Sequence, residues 1–176
     1  MKGRVVYSVT KGPEFGRLVS DPALADTGLA QVVDAARDKP AGTQILRDYA
    51  PYNLIGGEPR AFLAAPFYDV ESGGTEQIGT IVISVGSGLI DDALGANAAG
   101  TGEIRVFVVG DDGLMRSNPA ARREASAPRD TLDQRRLAGL ADDALLRMVS
   151  HDGTPLVASG QKVSAGDWRW QLWLTE

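Results

Sequence analysis

The chain has no cysteine and a single histidine, His151, among its 176 residues. The first absence excludes disulfides, thiolate metal sites and thiol catalysis, while leaving the compartment open, since many proteins of oxidising spaces also lack cysteine. The second leaves no histidine pair for a metal, and a lone histidine beside Asp152-Gly153 reads as a surface turn residue. No apolar run approaches the ~20 residues that a membrane-spanning helix needs, and Met1-Lys2-Gly3-Arg4 leads into a strand pattern without the apolar core of a signal peptide. A GxSxG elbow, an HExxH pair and a phosphate-binding loop are all missing. Gly86-Ser87-Gly88 lacks the spacing and the lysine that a nucleotide loop requires. The aspartate pairs Asp91-Asp92, Asp111-Asp112 and Asp142-Asp143 fall in turns or helix starts, where capping and solvation account for them without calcium. The residues therefore offer no enzyme chemistry, no metal site and no cofactor.

What is present has the balance of a globular domain: 43% apolar and 23% charged residues. The net charge of −5 argues against a nucleic-acid partner. A local arginine cluster at Arg122-Arg123, Arg129 and Arg135-Arg136 is interleaved with Glu124, Asp130 and Asp133, as on a solvated face.

Periodicity supplies the elements. Arg4–Thr10 is a β-rich run broken by Lys11-Gly12-Pro13. Leu29, Ala30, Val32, Val33 and Ala36 recur at helical spacing, with Asp26 or Thr27 as cap and Pro40 and Gly42 beyond the end. Thr43–Tyr49 is a strand, followed by a loop over Pro51–Pro59. Arg60–Val85 is the hub of the first half: two apolar runs joined by a turn containing Gly73-Gly74, the pattern of an antiparallel hairpin. In its second run Gly79, Ile81, Ile83 and Val85 face one way, and Ile78, Thr80, Val82 and Ser84 the other. A short helix over Ser87–Leu94 leads to a linker-like stretch at Gly95–Gly102. Strands follow at Glu103–Val109, Ala144–Val149, Leu156–Val163 and Trp168–Thr175, with a helix over Thr131–Leu140. Gly57-Glu58-Pro59 with its hairpin matches Gly153-Thr154-Pro155 with the terminal hairpin. This weak repeat divides the chain into two small units near Ala96–Thr101.

The segments GRVVYSVTKGPEFG, DTGLA, RDYAPY, EPRAFLAAPFYD and IGTIVISV, then GTGEIRVFVVGDDGLMRSNP, DGTPLVASG and WRWQLWLTE, resemble in order the two halves of double Cache sensor domains. These are PAS-like extracytoplasmic sensing parts of bacterial chemoreceptors, histidine kinases and cyclases. The resemblance implies an α+β fold of two PAS-like units, each an antiparallel sheet with flanking helices, at 1–95 and 96–176. The first unit would lack the usual N-terminal helix and first strand. Asn118 departs from the aspartate usual after Met-Arg-Ser. The resemblance further implies a non-catalytic ligand sensor in a periplasmic or extracellular space, tethered to a membrane through segments outside this chain. A small ligand would lie against one sheet face of the first unit, gathered by Tyr7, Asp48, Tyr49, Tyr52, Arg60 and Phe62. Arg60 could clamp a carboxylate and Asp48 accept from an amine, unless the two pair with each other. Tyr52 and Phe62 would be apolar walls, and Tyr7 and Phe62 have a competing reading as core. No amino-acid-binding signature is present. The open sheet edge left by the absent strand invites a homodimer, and a self-associating interaction module is the alternative reading. Arg116 reads as a loop organiser bonded to backbone carbonyls or to Asp111 or Asp112. Trp168, Trp170 and Trp173 read as strand packing rather than a ligand wall.

Overall fold

The computed structural model describes residues 3–98, 105–112, 116–117, 145–149, 155–165 and 168–175. The expected helix at Thr131–Leu140, the arginine-rich loop, Asn118 and the turn carrying His151 lie outside the described residues. The chain is α+β, with antiparallel sheets and few helices, and separates into two compact units, Met1–Gly86 and Ser87–Glu176.

In the first unit, α1 (Gly28–Ala35) packs on one face of a three-stranded antiparallel sheet of β1 (Ile45–Tyr52), β2 (Glu58–Tyr68) and β3 (Gln77–Gly86), in the order β1-β2-β3. Thr27 caps α1: it holds extended backbone angles, and its hydroxyl accepts from the Ala30 N–H at 3.4 Å and donates to the Leu24 carbonyl at 2.7 Å. Leu24, Leu29, Val32 and Ala36 form the apolar stripe of this segment and meet Tyr52, Phe62 and Ala64 from the sheet. Burying side chains of this size stabilises by roughly 1.5–3 kcal/mol each, so this layer is the principal core of the unit.

Gly28 opens α1 where the Phe62 ring lies closest, and a Cβ at this position would stand 2.8 Å from the ring. The glycine is thus what allows helix and sheet to approach. The β2–β3 hairpin forms as the sequence indicates, with Gly73 and Gly74 both at positive φ (69° and 77°) in its turn. The Gly74 N–H closes that turn on the Asp69 carbonyl at 3.0 Å.

Two expectations are corrected. Arg4–Thr10 is not a strand: it makes one isolated bridge, Arg4 to Leu18, and otherwise hydrogen-bonds as a loop folded on residues 16–19. Its β-rich composition has no strand edge to pair with, leaving Val6 78% and Val9 86% exposed. Conversely, β1 runs on through Pro51 and Tyr52, because residues 50–52 pair with 58–60 across the short helical turn Asn53–Ile55.

Among its described residues the second unit holds a four-stranded antiparallel sheet in the order β4-β7-β6-β5, formed by β4 (Arg105–Gly110), β5 (Leu145–Val149), β6 (Pro155–Ala165) and β7 (Trp168–Thr175). The helix α2 (Gly88–Ala98) precedes them and extends into the stretch expected to be a linker. The hairpin of the sequence repeat is present here as β6–β7, matching β2–β3. Gly110 is overlaid by the Arg116 guanidinium, where no Cβ would fit. Arg116 is 3% exposed and its Nη2 lies 2.9 Å from the Asp112 carboxylate, the loop-organising role its sequence context suggested. Beside it, Ser117 Oγ accepts from the Val108 N–H at 2.8 Å.

Candidate functional site

The arrangement of the first unit turns on a bulge in β1. Arg47 stands opposite Phe62 but Ala50 opposite Arg60, so Asp48 and Tyr49 together face the single residue Ala61. One extra residue reverses the inward and outward alternation beyond it. Ile45 shares the helix-side face before the bulge, and Tyr52 shares it after. Tyr52 therefore enters the core layer, where it is 5% exposed and meets Phe62 edge to face at 5.3 Å between centroids.

Its ring is well packed, but its hydroxyl is buried with no hydrogen-bond partner. Leaving a hydroxyl so costs about 1–3 kcal/mol. The segment Gly3–Val19 folds back on itself, held by Val5 N–H to Arg17 carbonyl (3.0 Å), Gly16 N–H to Val5 carbonyl (2.8 Å) and Val19 N–H to Gly3 carbonyl (2.8 Å). Val5 packs against the core layer that holds Tyr52. Glu14 sits in the turn of this segment, where its carboxylate accepts the Ser8 hydroxyl at 3.0 Å. Burial pushes the Tyr52 phenol up to about 12, and the negative charge of Glu14 adds to the effect.

The six residues expected at a ligand site are thus distributed unevenly. Tyr52 and Phe62 are together in the core layer. Tyr49 is buried in the bulge, and its hydroxyl donates to the Gly86 carbonyl at 3.3 Å, spanning β2 from β1 to β3. Asp48 is half-buried, and its Oδ1 accepts from the Tyr49 N–H at 2.7 Å, fixing the bulge. Arg60 pairs with Glu58 at 3.2 Å rather than with Asp48, and its guanidinium lies over Gly86 while its Nε is buried without a partner. Tyr7, expected as pocket or core, is 76% exposed in the loop. With Arg4–Thr10 not a strand, nothing carries its ring onto the sheet.

Sequence reasoning missed the contact of Ser8 with Glu14, because Lys11-Gly12-Pro13-Glu14 reads as a strand breaker. The signal lay in the same residues: a Gly-Pro turn returns the chain on itself and brings position 14 back over position 8. Among the described residues no cluster of three or more acidic or histidine side chains could hold a metal, and no helix is long and apolar enough to cross a membrane.

No protein-family model matches the chain, and no curated protein does. Solved structures do. The ligand-binding domain of the Pseudomonas aeruginosa amino acid chemoreceptor PctC, in complex with GABA, matches with a TM-score of 0.56 at 14% identity, over 97% of this chain and 64% of that one. The periplasmic sensory domain of the Campylobacter jejuni chemoreceptor Tlp1 matches with a TM-score of 0.55 at 15% identity, over 90% and 58%. The chain has the fold of bacterial sensor domains. The extracellular domain of the histidine kinase vpHK1S-Z8 shares it too, with a TM-score of 0.52 at 9% identity over 81% and 53%. The sensor-domain resemblance in the sequence and the shared fold agree. The chain spans 56–60% of the length of the Pseudomonas fluorescens CtaA ligand-binding domain structures that it matches.

Proposed function

We propose that this chain is a ligand-sensing domain of a bacterial transmembrane signal-transduction receptor, acting outside the cytoplasm. It binds a small molecule in its first unit and passes on a conformational change. The observation that carries this reading is the likeness, over nearly the whole chain, to ligand-binding domains of chemoreceptors and to a histidine kinase's extracellular domain. Two PAS-like units, the first without its usual N-terminal helix and strand, accommodate both the hairpin repeat and the shorter span. The site lies at the end of the first sheet that carries Tyr52, Phe62 and the bulge residues Asp48 and Tyr49, with Arg60 alongside.

The mechanism is a shift of population. A ligand that bonds one arrangement of the Gly3–Val19 segment against the core layer better than another stabilises that arrangement by its difference in affinity. The domain itself needs no catalytic group. A thermal-shift screen against organic acids, amines and nucleobases tests this: a ligand at a hundred times its Kd adds about 2.7 kcal/mol to the stability of the unit it binds. Related compounds of one class are expected to raise the melting temperature together. A flat screen across all three classes would sink the sensing reading.

A second reading, an interaction module that self-associates, is favoured by one feature. β3 is an edge strand without a charged residue, and Ile78, Ile81 and Ile83 on it are 54–56% exposed. An uncharged, apolar edge is open to pairing with a second copy. The two readings are compatible in a dimeric receptor, and sedimentation of the chain across a concentration series decides whether association occurs.

A further inference from the structure

The fold pairs β3 on one side only, and nothing in its sequence guards the other. β2 takes one edge along the length of the strand. Among the described residues no backbone hydrogen bond reaches residues 78–85 from the opposite side. Proteins commonly protect such an edge with a lysine, a proline or an inward-pointing charge. Between Gln77 and Gly86 there is no charged residue and no proline. The second unit shows that the same position can be filled. There β7, the counterpart of β3 in the hairpin repeat, is paired on both sides, with β6 on one and β4 on the other. In the first unit the segment with spare strand composition, residues 4–10, is folded back on residues 16–19 and leaves the gap open.

The chemistry of the edge points to an identical strand as its occupant. An uncharged strand lies beside its own copy without setting like charges opposite each other. Antiparallel pairing of identical strands is closed by a twofold axis, so the assembly stops at two copies. Side-chain alternation adds a second reason. Ile81 and Ile83 stand opposite Ala65 and Leu63 of β2, and they are 56% and 54% exposed. Val82 points to the other face and packs on the core layer. A twofold axis at Val82 sets Ile81 of one copy opposite Ile83 of the other, and the reverse. The four isoleucines then form one apolar cluster across the seam, the kind of cross-strand β-branched contact that stabilises a sheet. Thr80 meets Ser84 on the opposite face, a pair whose hydroxyls can share a hydrogen bond.

We propose that the open edge of β3 pairs antiparallel with β3 of a second copy, centred on Val82, joining two three-stranded sheets into one. The proposal rests on the self-association reading above and gives that association a strand, a direction and a register. The strand offers 10 residues a side, against the roughly 20–30 of a standard interface. The dimer is therefore a weak one that forms with rising concentration.

The absence of cysteine makes the register directly readable, because an introduced thiol is the only one in its chain. Paired residues of antiparallel strands stand about 4.5–5.5 Å apart at Cα, within the span of a disulfide. Sedimentation equilibrium of the full chain is expected to show monomer passing to dimer as concentration rises. Under mild oxidation, Ile81→Cys mixed with Ile83→Cys should give the mixed disulfide about ten-fold more readily than either variant crosslinks with itself. Val82→Cys, at the position that meets its own copy, should crosslink alone. Should Val82→Cys fail to fold, the isoleucine pair carries the test, since both positions are half exposed. A chain that stays monomeric up to millimolar concentration overturns this pairing and the self-association reading together. A dimer in which the mixed pair crosslinks no better than the single variants overturns the β3 pairing and leaves self-association standing.

Discussion

Tyr52→Phe removes one oxygen atom from the core and separates the cost of the buried hydroxyl from simple packing. The hydroxyl is buried and unbonded, so its removal returns the desolvation cost of a lone hydroxyl, about 1–3 kcal/mol. The ring and its contact with Phe62 are kept. The variant is therefore expected to be more stable than the native chain at neutral pH by roughly 1 kcal/mol, allowing for relaxation. For a unit of this size that is a rise of about 4–8 °C in melting temperature. Alkaline pH enlarges the difference. The folded phenol is raised to about 12 from an ordinary 10.0, so the native state holds its proton where the unfolded chain has released it. The stability contributed by the neutral phenol is fully present below pH 10 and is lost as pH climbs through about 12. Two pH units correspond to about 3 kcal/mol in total.

The native chain should thus weaken between pH 10 and 12 more steeply than Tyr52→Phe. The assay needs a probe of the right unit. All three tryptophans lie at 168–173 in the second unit, whereas the four tyrosines, Tyr7, Tyr49, Tyr52 and Tyr68, lie in the first. Urea unfolding followed by far-UV dichroism, with tryptophan fluorescence marking the second unit, separates the two. Tyrosinate absorbance then counts the late-titrating phenol directly. A Tyr52→Phe chain destabilised by more than about 1 kcal/mol, with an unchanged alkaline limb, would refute the reasoning, because the hydroxyl would then have to be bonded.

Gly28→Ala should cost about 1–3 kcal/mol, since the added methyl would press into the Phe62 ring; Phe62→Leu in the same chain should recover part of it, as double-mutant unfolding curves would show. Arg116→Ala removes the buried guanidinium that pairs with the half-exposed Asp112 carboxylate and fills the space over Gly110. The second unit should lose about 1–3 kcal/mol while the first is unaffected, a split that tryptophan fluorescence reads. Ile83→Lys on the β3 edge should lower any self-association in sedimentation without lowering the melting temperature of the monomer by more than about 1 kcal/mol equivalent, because that side chain is half exposed already.

Local chemistry made much of the first unit legible in the sequence. The apolar stripe of α1 and its Thr27 cap follow from helical spacing and from the hydroxyl's ability to hold an orphan N–H. Gly73-Gly74 marks the hairpin turn because only glycine reaches those φ values without cost. The repeat of two hairpins was visible for the same reason. Where a reading depended on a partner far along the chain, it failed. Arg4–Thr10 has the composition of a strand, yet a strand exists only where an edge can receive its hydrogen bonds, and composition does not state which edges are free.

The site shows the same boundary more sharply. The sequence by itself determined that Asp48 and Tyr49 lie on one strand and Arg60 and Phe62 on another, since a Gly-Gly turn and alternating apolar runs leave little else possible; Tyr52 it left in the loop between them. Which tyrosine faces the core was decided by a single extra residue in β1, because a bulge exchanges the two faces for every position beyond it. That register is set by pairing across strands and has no local signature. Likewise only the tertiary fold brings Val5 of the Gly3–Val19 segment against the core layer, since that contact depends on how a loop returns to a sheet made much later in the chain.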